Sequence, residues 1–245
     1  MKYLIVGASS GLGKELAKKF AEENNDLVIV SRDERDLNAI KSDLETKHKV
    51  KIDVLPLDFS SINEINDKLL SKNNLLSNLA GVMFPIGMMF DDDNSNLNTE
   101  SISRLINANY VSIAYTIQKI KKILIKKENT SIIGFGSVSG FLGRDINVTY
   151  AGAKRGLESF FESMAFDDDL KKANIQFYTL GYLATNLSFG KELTLPKASV
   201  KKLSNIVFKN RKVKFKKTYY PMYWMVVNLI LKIIPFSILR KLKFK

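Results

Sequence analysis

"KYLIVGASSGLGKELAKKFA", residues 2 to 21, decides the fold. Its first five residues are apolar beyond Lys2, the next seven include three glycines, and the remainder repeats apolar residues at Leu12, Leu16 and Phe20. A strand that runs without polar interruption through "YLIV" is buried on both faces, as strands of parallel sheets are. The spacing of four that follows is that of a helix with one apolar face. Between them, Gly7, Gly11 and Gly13 let the backbone of residues 7 to 13, with Ser9, Ser10 and Leu12, turn tightly and approach a diphosphate. The charge of that group then faces the positive end of a helix beginning near Leu12.

Outward from this unit the alternation continues. "LVIV" (27 to 30), "KIDVLPL" (51 to 57), "NLLSNLA" (74 to 80), "TSIIGFG" (130 to 136) and "IQFYTL" (175 to 180) are predicted strands. Helical spacing separates them, as in Leu37-Ile40-Leu44 and from Leu105 through Ile123. Strands alternating with helices predict an α/β, doubly wound parallel sheet covered on both faces, with ligands beyond the C-terminal strand ends. The second strand ends at "VSRD", residues 30 to 33, where a carboxylate suits the ribose hydroxyl of NAD and an arginine suits the extra phosphate of NADP. Ser31 and Arg32 come first, so the expected cofactor is NADP(H) rather than NAD(H).

With 245 residues, 45% hydrophobic, the chain has the size of one domain. Residues 1 to 220 are the expected catalytic unit and 221 to 245 a tail. The apolar run after Met1-Lys2 is too short for a secretion signal, so a cytoplasmic location is expected. No cysteine and a single histidine, His48, argue against disulfides and thiolate- or histidine-based metal sites. The "DDD" runs at 91 to 93 and 167 to 169 read as solvated or helix-end charge.

"VTYAGAKRG", residues 148 to 156, places Tyr150 and Lys154 four apart, on one helix face. An ammonium beside a phenol stabilises the phenolate, so Lys154 is expected to lower the Tyr150 pKa toward the range of a general acid/base.

Together these stretches resemble the short-chain dehydrogenase/reductase family over roughly residues 1 to 220. "VGASSGLG" is similar to the family's glycine motif, with Val6 in place of its threonine, and "NLAG", Asn78 to Gly81 with Ala80, to its NNAG stretch. Asp58 in "PLDFSS" matches the adenine-contacting aspartate, and "LGYLAT" matches the segment after the sixth strand with Gly181 and Thr185 kept. The catalytic tetrad corresponds to Asn109, Ser137, Tyr150 and Lys154. The resemblance implies a Rossmann-type sheet of about seven strands, the last at "KVKFKK" (212 to 217). It also implies a nicotinamide-dependent carbonyl/alcohol oxidoreductase in which Tyr150 transfers the proton, Ser137 bonds the carbonyl oxygen and Lys154 holds the ribose. Family members assemble as homo-dimers or tetramers through the helices carrying Asn109 and Tyr150. A nucleotide-sensing or membrane-tethered binding protein of the same fold is the alternative of another class.

The net charge of +13 is unevenly spread. Residues 191 to 245 carry 15 Lys+Arg against one Asp+Glu, and the rest is near neutral. No groove-reading motif accompanies this charge, so nucleic acid is not the expected partner. In the tail, "YYPMYWMVVNLILKIIPFSILRKLKFK" (219 to 245), the apolar stretch is shorter than the ~20 residues that span a bilayer. Aromatic, apolar and basic residues together suit peripheral contact with an anionic membrane. A helix packed over the substrate pocket or at a subunit interface suits them too. Membrane contact would direct the site to a lipid or lipid-linked carbonyl, with "VMFPIGMMF" (82 to 90) and "YLATNLSFG" (182 to 190) as apolar walls.

Overall fold

The computed structural model describes residues 1–94, 96–184 and 196–241. Seven strands form one sheet: β1 (Lys2–Val6), β2 (Asp26–Ser31), β3 (Ile52–Pro56), β4 (Leu79–Phe84), β5 (Ser131–Ser137), β6 (Asn174–Leu180) and β7 (Lys216–Tyr220). Their order is β3-β2-β1-β4-β5-β6-β7, and all neighbours run parallel. The order reverses between β1 and β4, and the crevice at that switch is where such sheets bind ligands.

Side-chain alternation in the strands builds two cores. Leu4, Val6, Val28 and Val30 face one side, covered by α6 (Ser112–Leu124) and α7 (Val148–Met164) through Ile117, Ile120, Leu157 and Phe161. Tyr3, Ile5, Leu27 and Ile29 face the other, under α1 (Gly11–Glu22), α2 (Glu34–His48) and α8 (Val200–Asn210). Both faces of the central strands are thus apolar, which is why "YLIV" shows no polar alternation. Short helices α3 (Ile62–Glu64) and α4 (Asn73–Leu76) fill the β3–β4 connection. α5 (Thr99–Ile106) continues through a π-helical turn, Asn107–Val111, into α6. After β7 come α9 (Tyr223–Ile233) and α10 (Phe236–Leu239).

Two predicted strands are displaced. "NLLSNLA" is not the fourth strand: residues 73 to 76 are α4, Asn78 turns the chain in the left-handed region at φ +58°, and the strand is the fully buried "LAGVMF". The last strand begins at Lys216 rather than at Lys212. The Gln176 side chain donates to the Asn210 and Val213 carbonyls, so residues 211 to 215 form the turn before the strand.

Candidate active site

At the C-terminal edge of the sheet, Val6 pairs with Val30, Ser31 with Pro56, and Ser137 with Leu180, so the segments after these strands converge. The chain leaves β1 through Gly7, at φ +90°, where the N–H groups of Gly7 and Ala8 both donate to the Val30 carbonyl at 2.7 and 3.1 Å. Gly13 closes the cradle: a Cβ there would lie 1.9 Å from the Gly7 carbonyl oxygen, so only glycine lets α1 seat against the turn. Ser10, at the N-cap of α1, makes no side-chain capping bond, and the first turn carries no acidic residue. Unclaimed N–H groups on a positive helix end, facing a cradle that a Cβ would fill, fit a dinucleotide diphosphate.

Ser31 ends β2 with its buried hydroxyl unpartnered among the described residues, and Arg32 beside it is exposed. Asp33 is committed elsewhere. Its carboxylate caps α2 by accepting from the Asp36 N–H at 3.1 Å. After β3, Asp58 accepts from the Ser60 N–H and hydroxyl at 2.9 and 2.7 Å. Burial alone would raise its pKa, but those two bonds, with Arg32 and Arg104 nearby, hold the carboxyl below its usual value.

Ser137 is the last residue of β5, and Tyr150 and Lys154 lie on the buried face of α7. The Tyr150 phenol lies near Ser137, whose hydroxyl favours its ionised form. Lys154 Nζ lies 5.8 Å from the centre of the Tyr150 ring and donates to the Ile86 and Phe135 carbonyls at 3.0 and 3.1 Å. The expected lowering of the phenol pKa by Lys154 is not what this arrangement gives. Burial pushes Tyr150 up to about 12, opposed in part by Ser137, and burial brings Lys154 down to about 7. Desolvation disfavours both charged forms, and Lys154 directs protons at carbonyls rather than at the phenol. A phenol of this kind is protonated at neutral pH, the state needed to give a proton to a carbonyl oxygen.

Asn109 is fully buried on the π-helical turn. Its side chain donates to the Met88 and Leu105 carbonyls at 2.8 and 2.9 Å and accepts from the Met88 N–H at 3.2 Å, clamping the segment after β4.

The expected cofactor stretch, Asn78 to Gly81, does not lie on that segment. Asn78, Ala80 and Gly81 lie at the start of β4, with Leu79 beside Lys2 and Gly81 beside Tyr3 and Ser131. They therefore lie toward the end of the sheet opposite the cradle, about 10 to 20 Å along the strand from its C-terminal end, and are not cofactor contacts. "FPIG", residues 84 to 87, occupies the ligand end, with Ile86 against both Gly7 and Lys154. Pro85, which cannot continue a central strand, was the available signal.

Asp93 was also missed. It is buried rather than solvated, at 2% exposure. Its carboxylate accepts from the Thr149 and Tyr150 N–H groups at 2.9 and 2.8 Å, and its carbonyl from the Val148 N–H at 3.1 Å. Gly181, after β6, donates its N–H to the Tyr220 carbonyl at 2.8 Å and lies under the indole of Trp224. Trp224 also packs against Phe141 and Tyr182, which brings α9 beside the strand end that carries Ser137. Thr185 and residues 186 to 190 of the expected pocket wall lie outside the described residues, as do residues 242 to 245 of the tail.

A family model described as short chain dehydrogenase matches residues 2–193. An uncharacterized oxidoreductase of Staphylococcus epidermidis is 27% identical over 161 residues, covering 66% of this chain and 68% of that one. A very-long-chain 3-oxoacyl-CoA reductase of Podospora anserina is 28% identical over 230 residues, covering 90% and 67%. Among solved structures, a short-chain dehydrogenase from Sphingobium yanoikuyae in complex with NADPH superposes with a TM-score of 0.79 at 21% identity, covering 99% of this chain and 96% of that one.

Proposed function

The chain belongs to the short-chain dehydrogenase family and is a nicotinamide-dependent oxidoreductase of carbonyl and alcohol groups, and from that premise we propose an NADP(H)-dependent reductase of a carbonyl on a lipid-type chain. The observation that carries the proposal is the convergence of the protonated Tyr150, the Ser137 hydroxyl and buried Lys154 at the strand ends that also form the glycine cradle. When bound, the nicotinamide supplies or accepts the hydride at the carbinol carbon. Tyr150 gives its phenolic proton to the carbonyl oxygen, Ser137 donates a hydrogen bond to the same oxygen, and Lys154 holds the ribose at the foot of Tyr150. In the oxidative direction Tyr150 takes the proton back. Asn109 keeps the chain after β4 in place below them. Residues 1 to 220 form the catalytic unit in this reading, and Thr185 adds a cofactor contact.

Preference for NADP(H) rests on Arg32, exposed at the end of β2, and on Asp33 being committed to its helix cap. The NADPH complex of the Sphingobium relative agrees with it. Arg32→Ala is expected to weaken NADPH binding about tenfold or more, as loss of a charge-assisted contact does, and to leave NADH binding unchanged. Fluorescence titration with both nucleotides measures it; equal loss for both removes the assignment.

Support for a lipid-type substrate comes from the half-buried Met89 and Phe90 beside Tyr150 and from the 3-oxoacyl-CoA chemistry of the Podospora relative. The tail fits the same reading as a contact with an anionic membrane. α9 is anchored by Trp224 and by Asn228, which donates to the Tyr219 hydroxyl at 2.9 Å. Its opposite face leaves Leu229 and Ile233 at 60% and 72% exposure, and Phe236 of α10 is 68% exposed, with Lys232, Arg240 and Lys241 nearby in sequence. None of the described helices is long and apolar enough to cross a membrane, so the contact is peripheral. Vesicles containing phosphatidylserine should pellet the protein, and the double substitution Leu229→Asp/Ile233→Asp should leave it in the supernatant. If the wild-type chain stays in the supernatant as a dimer or tetramer, the face is a subunit interface. Assembly of copies through α5–α6 and α7 is the family's arrangement, and light scattering reads it independently of lipid.

A further inference from the structure

α7 carries both Tyr150 and Lys154, and its first turn is held from outside the helix. α2, α5 and α8 are capped locally, each by the side chain of the residue before the helix: Asp33, Asn98 and Ser199. The corresponding residue of α7, Asn147, is in the left-handed region and makes no side-chain capping bond. The N–H groups of Val148, Thr149 and Tyr150 go instead to one residue, Asp93, which precedes them by more than 50 positions. The next N–H, of Ala151, bonds the Asn147 carbonyl at 2.8 Å, which completes the turn.

Asp93 belongs to the segment that follows β4. Its own N–H donates to the Phe90 carbonyl at 3.4 Å, a turn that points the carboxylate inward. Five residues earlier, Met88 is gripped by Asn109 through both its N–H and its carbonyl. Met89 and Phe90, between the two anchors, pack on Leu105, Tyr150 and Ala153. The segment is therefore tied to the α5–α6 turn at one end and to α7 at the other. A carboxylate on a helix N-terminus is favoured by the helix dipole, and bonds to an ionised acceptor are stronger than neutral ones.

We propose that Asp93 is a positioning residue for the proton donor: it locks the first turn of α7 to the apolar segment 88–93, so that the wall on which a substrate rests and the Tyr150 hydroxyl keep one register. The inference rests on Tyr150 being the proton donor. It extends that reading by making the segment after β4 part of the catalytic geometry rather than only a pocket lining. Asp93 touches no reacting atom, and its effect passes through the backbone of residues 148 to 150.

The test compares Asp93→Asn, which keeps one acceptor, Asp93→Ala, which keeps none, and Asp92→Asn, an exposed neighbour, in the full-length protein, with a medium-chain 3-oxoacyl-CoA and NADPH. Misplacement of a reacting group by about 1 Å costs on the order of a hundredfold. The expected result is a fall in kcat toward that size for Asp93→Ala, a smaller fall for Asp93→Asn, and none for Asp92→Asn. NADPH affinity should hold throughout, and KM should move less than kcat. A cap that only stabilises the helix would lower the melting temperature and leave kcat of the folded variants at the wild-type value, and that result overturns the proposal. Tyr150→Phe run alongside separates the two readings. If it turns over like wild type, the reading of Tyr150 fails; if it is inactive while folded Asp93→Ala keeps its kcat, Asp93 alone fails. Native-state hydrogen exchange on the wild-type chain requires neither substrate nor variant. Amides of Thr149 and Tyr150 should open together with segment 88–93 as one unit, and independent opening contradicts the coupling.

Discussion

Tyr150→Phe is expected to lower turnover by about a hundredfold to ten-thousandfold, the contribution of a positioned general acid, with NADPH binding almost unchanged. The substitution removes one oxygen from a ring that is otherwise buried against Leu105 and Ala153. The packing of α7 therefore survives, while the proton to be given to the carbonyl oxygen is gone. The phenol held at about 12 is protonated throughout the neutral range, so the wild-type rate in the reductive direction should not depend on pH through Tyr150 there. Steady-state kinetics with a reducible carbonyl, beside a fluorescence titration with NADPH, separates this loss from a binding defect. A nucleotide-sensing protein without turnover would show no difference between the two chains.

Gly13→Ala is expected to damage binding and stability together. The added Cβ would sit 1.9 Å from the Gly7 carbonyl oxygen, 2.7 Å from its carbon and 3.0 Å from the Ala8 Cα. All three are backbone atoms, and the turn they belong to is fixed to β2 by two bonds to the Val30 carbonyl. Retreat of α1 is opposed by Leu16, Ala17 and Phe20, which are fully buried under the sheet. Overpacking of this kind costs about 1–3 kcal/mol, which for a chain of this size lowers Tm by roughly 3 °C or more. The N–H groups aimed at the diphosphate shift as well. Loss of two charge-assisted bonds is expected to weaken NADPH binding by about a hundredfold or more. Thermal melts with and without NADPH measure both effects, and a variant that melts like wild type and is stabilised equally by NADPH contradicts the cradle.

The elements that local pattern dictates were legible in the sequence. The first strand, turn and helix are specified by adjacent residues, and the spacing of Tyr150 and Lys154 fixes their common helix face. Ser137 at a strand end follows from where an apolar run stops. The fourth strand failed because "NLLSNLA" and "LAGVMF" are both apolar and overlap. The earlier run assigns Asn78, Ala80 and Gly81 to the wrong end of the sheet, and the apolar pattern that makes Ile86 part of a pocket wall does not show its contacts with Gly7 and Lys154. Asp93 was illegible for a different reason. Three consecutive aspartates read as solvated or helix-end charge without telling which helix end, and the N–H groups that bury the third come from a helix more than 50 residues away. Helical spacing likewise brings Lys154 near Tyr150 without telling where its protons point, and the Ile86 and Phe135 carbonyls decide that. In the tail, the apolar face was visible, whereas the seat of Trp224 on Gly181 depends on the chain returning after β7 to the end of β6.

In the proposed reaction this site moves a hydride between NADPH and a carbonyl, with Tyr150 supplying the proton. The most direct measurement uses NADPH deuterated at the transferable position, incubated with long-chain ketones, aldehydes and 3-oxoacyl-CoA thioesters, and mass spectrometry of the alcohols formed. The expected result is deuterium at the carbinol carbon with the wild-type chain and none above background with Tyr150→Phe. NADPH bound tightly by both chains, with no label in any product, would contradict it and leave a nucleotide-binding protein of the same fold.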